Sequence, residues 1–211
     1  MKVSKAQAQA NRARVVETAS QLFRERGYDG VGVADLMAAA GFTHGGFYKQ
    51  FGSKTDLMAE ATACGLARTV EQTGQEVDPV GFISQYLSRE HRDARGSGCT
   101  LAALGGDAAR QPDEVRVLFA AGIERLVAAL SHGSASDATP EQLRQSRARS
   151  LHLMSSAVGA LVMSRACPDG SPLADEILTA CREALLSSLG SSLAPTDPVG
   201  TAGHVAGRPD C

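Results

Sequence analysis

Apolar residues recur at three- and four-residue spacing along most of this 211-residue chain, and no convincing strand pattern interrupts them. From about Ala8 to Gly27, the residues Val15, Val16, Ala19, Leu22 and Phe23 mark one face of an amphipathic helix. Gly27 stops it, and arginines occupy its last turn, as the helix dipole prefers. A shorter helix is predicted from about Val33 to Ala40, with Val33, Leu36 and Met37 inward and Gly41 ending it at positive φ. Phe42 plugs the turn that follows. Thr43 is placed to cap a third helix, His44 to Phe51, which is barely two turns long. Ser53 caps a fourth, from near Lys54 to about Thr73.

Beyond about Val77 the pattern continues in longer segments. Asp78-Pro79 opens a helix with Phe82, Ile83, Tyr86 and Leu87 as its stripe, followed by a loop with Gly96 and Gly98 and a helix from about Cys99 to Arg110. Pro112 sits in the first turn of the next helix, which carries Val115, Leu118, Phe119, Ile123, Leu126, Val127 and Leu130. Residues 132–139 read as a mobile loop. Two helices follow, at about 140–166 and 172–189, and the Pro- and Gly-bearing tail from Gly190 is predicted to be disordered. The fold class is all-α, with no internal repeat.

Composition narrows the function classes. Hydrophobic residues make up 43% of the chain and aromatics 4%, with alanine and leucine dominant, which suits packed helices. No apolar run approaches the ~18 residues of a membrane span. The amino terminus lacks a signal-peptide core, so a cytoplasmic location and free thiols are expected. Cys64, Cys99, Cys167, Cys181 and Cys211 form no CxxC pair, and neither a metal site nor a cofactor is expected. Charge is unevenly spread: residues 1–54 carry eight Lys and Arg against four acids, while the whole chain nets −2. A basic head on an acidic body outlines a localised anion-binding surface.

Within that head lies Gly41-Phe42-Thr43-His44-Gly45-Gly46-Phe47-Tyr48-Lys49-Gln50-Phe51-Gly52-Ser53-Lys54. A glycine pair near a helix start costs about 1 kcal/mol per glycine relative to alanine, and it suits a backbone that must approach something closely. Three short helices with a glycine turn before the last form a helix-turn-helix unit whose final helix is built for a DNA major groove. The run Ala34-Asp35-Leu36-Met37-Ala38-Ala39-Ala40-Gly41-Phe42-Thr43, then Gly46 to Phe51 and Ser53-Lys54, resembles the DNA-binding head of the tetracycline-repressor-like (TetR/AcrR) family. Ala19, Leu22-Phe23 and Gly27-Tyr28 match that family's first helix and turn. Gly32 departs from the pattern, standing where Ser or Thr usually caps the second helix. The resemblance implies a DNA-binding domain over about 10–70 with its motif at about 33–52. It further implies a ligand-binding and dimerisation domain over 78–190, ahead of the tail over 191–211 that its composition predicts to be disordered.

The chemistry of the head agrees with the resemblance. Thr43 and Tyr48 are placed to hydrogen-bond phosphate oxygens, and Lys54 to neutralise one near a helix start. His44, Gly45, Gly46 and Lys49 fall on the exposed part of the recognition helix, where Lys49 suits guanine acceptors and the glycines admit close backbone approach. Phe47 and Phe51 read as core. Arg12 and Arg14 either track the DNA backbone or lie solvated.

The body carries no GxGxxG, P-loop, HExxH or GxSxG pattern, and no enzyme is expected. Gly96-Ser97-Gly98-Cys99 with His91 superficially resembles a nucleophile turn, but no sheet supports an elbow. Cys99 at a helix start near Arg92 and Arg95 reads either as a reactive, oxidant-sensing thiol or as a small buried apolar residue. Tyr86, Cys99, Leu101, Leu104, Phe119 and Met154 are candidates to line a ligand cavity, or equally to be core. The last two helices, with small residues Ser155, Ser156, Ala157, Gly159 and Ala160, match the family's dimer-forming pair. The expectation is a homodimeric regulator of a double-stranded DNA operator. It would be most simply a repressor released by a small-molecule effector, with a thiol switch at Cys99 as the alternative.

Overall fold

The computed structural model describes residues 4–73, 78–131 and 138–193. Among these lie α1 (Lys5–Arg26), α2 (Val33–Ala39), α3 (Lys54–Thr73), α4 (Pro79–Tyr86), α5 (Arg89–Asp93), α6 (Thr100–Ala108), α7 (Asp113–Ser131), α8 (Pro140–Ala166) and α9 (Pro172–Leu193). A 3₁₀ segment, His44–Lys49, stands between α2 and α3, and no strand occurs among the described residues. Most of the loop predicted over 132–139 (residues 132–137) and most of the predicted tail (residues 194–211) lie outside the described residues.

Local chemistry sets the helix ends. Ser4 accepts the Gln7 N–H at 3.1 Å to start α1, and Gly27 at φ 75° ends it. Gly32 opens α2 with no side-chain cap bond. At its far end Gly41 takes φ 82°, which lets Phe42 donate to the Met37 carbonyl at 2.8 Å and close the turn. Asp56 N–H bonds Ser53 Oγ at 3.1 Å at the start of α3, Asp78 caps α4, and Thr139 with Gln142 forms a capping box on α8.

Four local expectations are corrected. The segment predicted as a helix from His44 to Phe51 is a 3₁₀ turn closed by Gly46 N–H to Thr43 O (2.9 Å) and Gln50 N–H to Phe47 O (2.8 Å). Two adjacent glycines give it too little helical support for the wider turn. Thr43 holds the N-cap position, yet its side chain makes no cap bond. The short α5 escapes the apolar pattern because a polar residue holds it: Arg92, 1% exposed, donates to Ser164, Cys167, Asp93 and Asp169. Finally, α9 runs through Gly190 to Leu193, since Gly190 adopts no positive φ and so does not stop the helix.

One apolar core continues from head to body. Phe23, Tyr28, Leu36, Met37, Phe47 and Leu57 fill the head, while Ile83, Leu87, Leu104, Val115 and Leu161 are buried in the body. Helix α3 packs along both α1 and α7, and α8 packs on α9 and α7. Burial pushes the Tyr28 phenol up to about 12, and its hydroxyl pairs with Thr62 Oγ1 at 2.6 Å. Polar bonds also tie the carboxyl end of α1 to the body. Tyr28 N–H reaches Asp107 Oδ2 at 3.3 Å, and the buried Arg24 donates from Nε to the Gly96 carbonyl at 2.8 Å.

Candidate nucleic-acid interface and body cavity

The 3₁₀ segment has one face fixed and one face free. Phe47 and Phe51, 1% and 3% exposed, stack at 5.4 Å and lock its back into the core, as their spacing predicts. Thr43, His44, Gly45, Tyr48 and Lys49 are exposed on the other side, with Gly46 half-buried. Tyr48 is 67% exposed, yet its ring is braced edge-on by Phe47 at 5.2 Å and His44 at 5.9 Å. That bracing limits the rotamer freedom that the side chain would lose on binding.

The glycines differ. A Cβ on Gly46 would touch Met37 Cε at 3.5 Å, an ordinary contact, whereas one on Gly45 would meet nothing within 4 Å. Nothing inside the protein therefore demands glycine at 45.

Three cations of the head are less free than their sequence positions suggest. Arg12 does not extend outward. Its guanidinium lies 4.2 Å over the Phe51 ring, donates to the Gln50 carbonyl and pairs with Glu60. It clamps the end of the 3₁₀ segment to α1 and α3, and no local pattern signals this because the partners lie 38 to 48 positions away. Arg24 is turned inward. Lys54 donates from Nζ to the Tyr28 carbonyl at 2.7 Å, leaving two further N–H donors on the same ammonium. Arg14 remains exposed beside Gly41.

In the body, a cavity of about 400 Å³ opens between α3, α4, α5, α6, α7, α8 and the loop 94–99. Tyr86, Cys99, Leu101 and Met154 line it. Leu104 and Phe119 do not; they are 2% and 6% exposed and packed in the core, a correction to the expected lining. Phe82 and His91 are lining residues absent from the sequence expectation.

His91 organises this wall. Its Nδ1 lies 2.7 Å from the Tyr86 carbonyl, and its Nε2 lies 3.3 Å from the Cys99 amide nitrogen. A carbonyl only accepts and an amide N–H only donates, so the ring is the neutral Nδ1–H tautomer. Burial, aided by Arg165, lowers its pKa below the ordinary histidine value and outweighs the Tyr86 bond. With Nε2 already occupied, His91 is no base for the Cys99 thiol, and the apparent nucleophile turn carries no dyad. Cys99 stands at the N-cap of α6, 5% exposed, but Arg92 faces Ser164 and Asp169 and Arg95 reaches the Arg165 carbonyl. Among the described residues no group of three or more His, Cys, Asp or Glu is placed to hold a metal, and no helix is long and apolar enough to cross a membrane.

Residues 15–61 match the family model described as bacterial regulatory proteins, tetR family. Over 185 residues the chain is 29% identical to the HTH-type transcriptional repressor DhaR of a Mycobacterium species, covering 84% of this chain and 93% of the relative. The HTH-type transcriptional regulator TtgR of Pseudomonas putida is 34% identical over 90 residues, covering 40% of this chain and 42% of the relative. Among solved structures, a TetR-family transcriptional regulator from Agrobacterium tumefaciens superposes with a TM-score of 0.65 at 18% identity, covering 86% of this chain and 98% of the other. The reduced form of E. coli NemR gives 0.64 at 18% identity, covering 84% and 96%. These two structures bear on the fold alone.

Proposed function

We propose that this chain is a DNA-binding transcriptional regulator of the TetR/AcrR family rather than an enzyme, and that it acts as a homodimeric, cytoplasmic repressor. In this reading it sits on a palindromic operator and is released when a small molecule enters the body cavity. The observation that carries the reading is the two-faced 3₁₀ segment, rigid behind and free in front. Thr43 and Tyr48 hydrogen-bond phosphate oxygens, and the remaining donors of Lys54 meet another. Lys49 reaches guanine acceptors, while His44, Gly45 and Gly46 lie against base edges. Two such segments held about 34–36 Å apart would read successive major grooves.

Regulators of this family act as dimers, and we assign the interface to α8 and α9. Among the described residues, five of the eight large exposed apolar side chains, Leu143, Leu151, Val162, Met163 and Leu173, lie on these two helices, which favours that face for burial against a partner. A Val162→Asp, Met163→Asp variant that remains dimeric in light scattering would move the interface elsewhere.

The loop 94–99 supports the coupling. Ala94, Ser97, Gly98 and Cys99 line the cavity, while Gly96 accepts from Arg24 of α1. An occupant that shifts this loop shifts α1 and the head with it, and a coupling of about 1–3 kcal/mol is enough to change operator affinity several- to a hundredfold.

The decisive experiment is salt-dependent binding to DNA flanking the protein's own gene. Absence of any such binding overturns the proposal. A second reading, a switch at the Cys99 thiol, draws support from its place in the cavity wall. Operator binding by Cys99→Ala that responds to oxidant as the unmodified protein does would remove it.

A further inference from the structure

One residue of the cavity wall, Tyr86, carries a hydroxyl that no strong acceptor satisfies. Tyr86 is 9% exposed, and its hydroxyl is buried with no hydrogen-bond partner. The ring is held in place between Phe82, with centroids 5.4 Å apart, and His91, at 4.6 Å. The Cys99 thiol is the polar neighbour of the hydroxyl, and a thiol is a weak acceptor. Burial, with Cys99 adding to it, raises the phenol well above its ordinary range, so it stays a neutral donor. A buried donor left with only a weak sulfur acceptor is costly, and the great majority of such groups in folded proteins find a full partner.

The rest of the wall says what kind of partner fits. Leu101, Leu126, Leu130, Met154 and Val158 make it largely apolar. Among the described residues no Lys or Arg lines it, and the one ionised side chain on its border is the exposed Glu90 carboxylate. His91 offers no hydrogen bond, since both ring nitrogens are taken. Arg165 has a buried, unpartnered Nη1 but stands outside the lining, its other nitrogens bonded to the Arg92 and His91 carbonyls. An anion would enter without a counter-charge, and an ammonium would leave the Tyr86 proton still unsatisfied.

We propose that the cavity selects an uncharged, mainly apolar small molecule carrying a hydrogen-bond acceptor such as a carbonyl, held by a bond from the Tyr86 hydroxyl. The proposal rests on reading the cavity as the effector site.

Three probes with one aromatic frame test it on the full chain by titration calorimetry: 2-acetylnaphthalene, 2-ethylnaphthalene and 2-naphthoate. The ketone is expected to bind about three- to tenfold tighter than the hydrocarbon, the scale of one net hydrogen bond, and the carboxylate weakest of all. Tyr86→Phe should erase the ketone's advantage while leaving the hydrocarbon's affinity unchanged. It should also unfold at no lower temperature than the parent, because the oxygen it removes is unsatisfied. Binding of 2-naphthoate as tight as the ketone, an undiminished preference in Tyr86→Phe, or binding of none of the three overturns the proposal. Operator affinity is read in parallel. Ketone binding through Tyr86 that leaves operator affinity unchanged retains the ligand class and refutes the effector reading. Release by 2-naphthoate does the reverse.

Discussion

Arg24 and Gly96, 72 positions apart, meet at 2.8 Å across the joint between head and body, the guanidinium Nε–H donating to the backbone carbonyl. The arginine is 4% exposed, and its Nη1 also bonds Ser20 at 2.7 Å, so the side chain has little freedom of its own. Replacing it with Met keeps the length and strands a buried carbonyl, which costs about 1–3 kcal/mol. That corresponds to a drop in melting temperature of about 2–4 °C for each kcal/mol in a chain of this size. The more telling readout is coupling: Arg24→Met should bind cavity ligands as before while operator affinity no longer responds. Undiminished release would place the coupling route elsewhere.

Gly45→Ala separates folding from recognition. The added methyl enters open space, and alanine favours a helical turn, so stability should hold or rise by about 0.5–1 kcal/mol. Operator binding should fall by about tenfold or more if the backbone lies against the base edges. A variant that is stable and binds normally would mean the segment approaches DNA less closely than proposed.

Tyr48→Ala and Lys49→Ala remove exposed groups and should leave unfolding within about 0.5 kcal/mol of the parent. Loss of Tyr48 should weaken binding to all sequences alike. Loss of Lys49 should cost about 1–3 kcal/mol on the correct operator and relax preference at one base position, as read by competition with single-substitution operators.

Arg12→Ala distinguishes a clamp from a phosphate contact. Losing the cap on Gln50, the pair with Glu60 and the packing over Phe51 should lower stability and weaken operator binding together. The dependence of affinity on salt should keep its slope. A slope shallower by about one would mean that Arg12 meets a phosphate in the complex.

His91 gives a pH signature. Its pKa is lowered in the fold by burial, so the unfolded chain binds the proton more readily. The stability it contributes is therefore present above the unfolded value near 6.5 and is lost as pH falls from there through the lower folded value. Urea unfolding at about pH 7.5 and about pH 5.5, either side of that value, should show a smaller loss in His91→Gln than in the parent. Equal losses would mean that the ring is protonated at no cost in the fold.

Much of the head was legible because apolar periodicity and glycine chemistry act locally. Leu36 and Met37 inward, Gly41 at positive φ and Phe47 with Phe51 in the core all follow from spacing within a few residues. Two of the misses share one cause, polar groups committed over long sequence distances. Arg92 builds α5 and Arg12 clamps the 3₁₀ segment through partners that periodicity does not encode. The cavity lining failed differently. Leu104 and Phe119 belong to the same apolar stripes as Leu101 and Leu126, and only the crossing of helices decides which members face the void.

With Arg12 and Arg24 absorbed into the architecture, the charge available to any stretch of chromosome is less than eight basic residues in the first 54 would suggest. Random DNA is held by charge alone, so it would compete weakly for this protein. A small number of copies per cell would then suffice to keep an operator occupied.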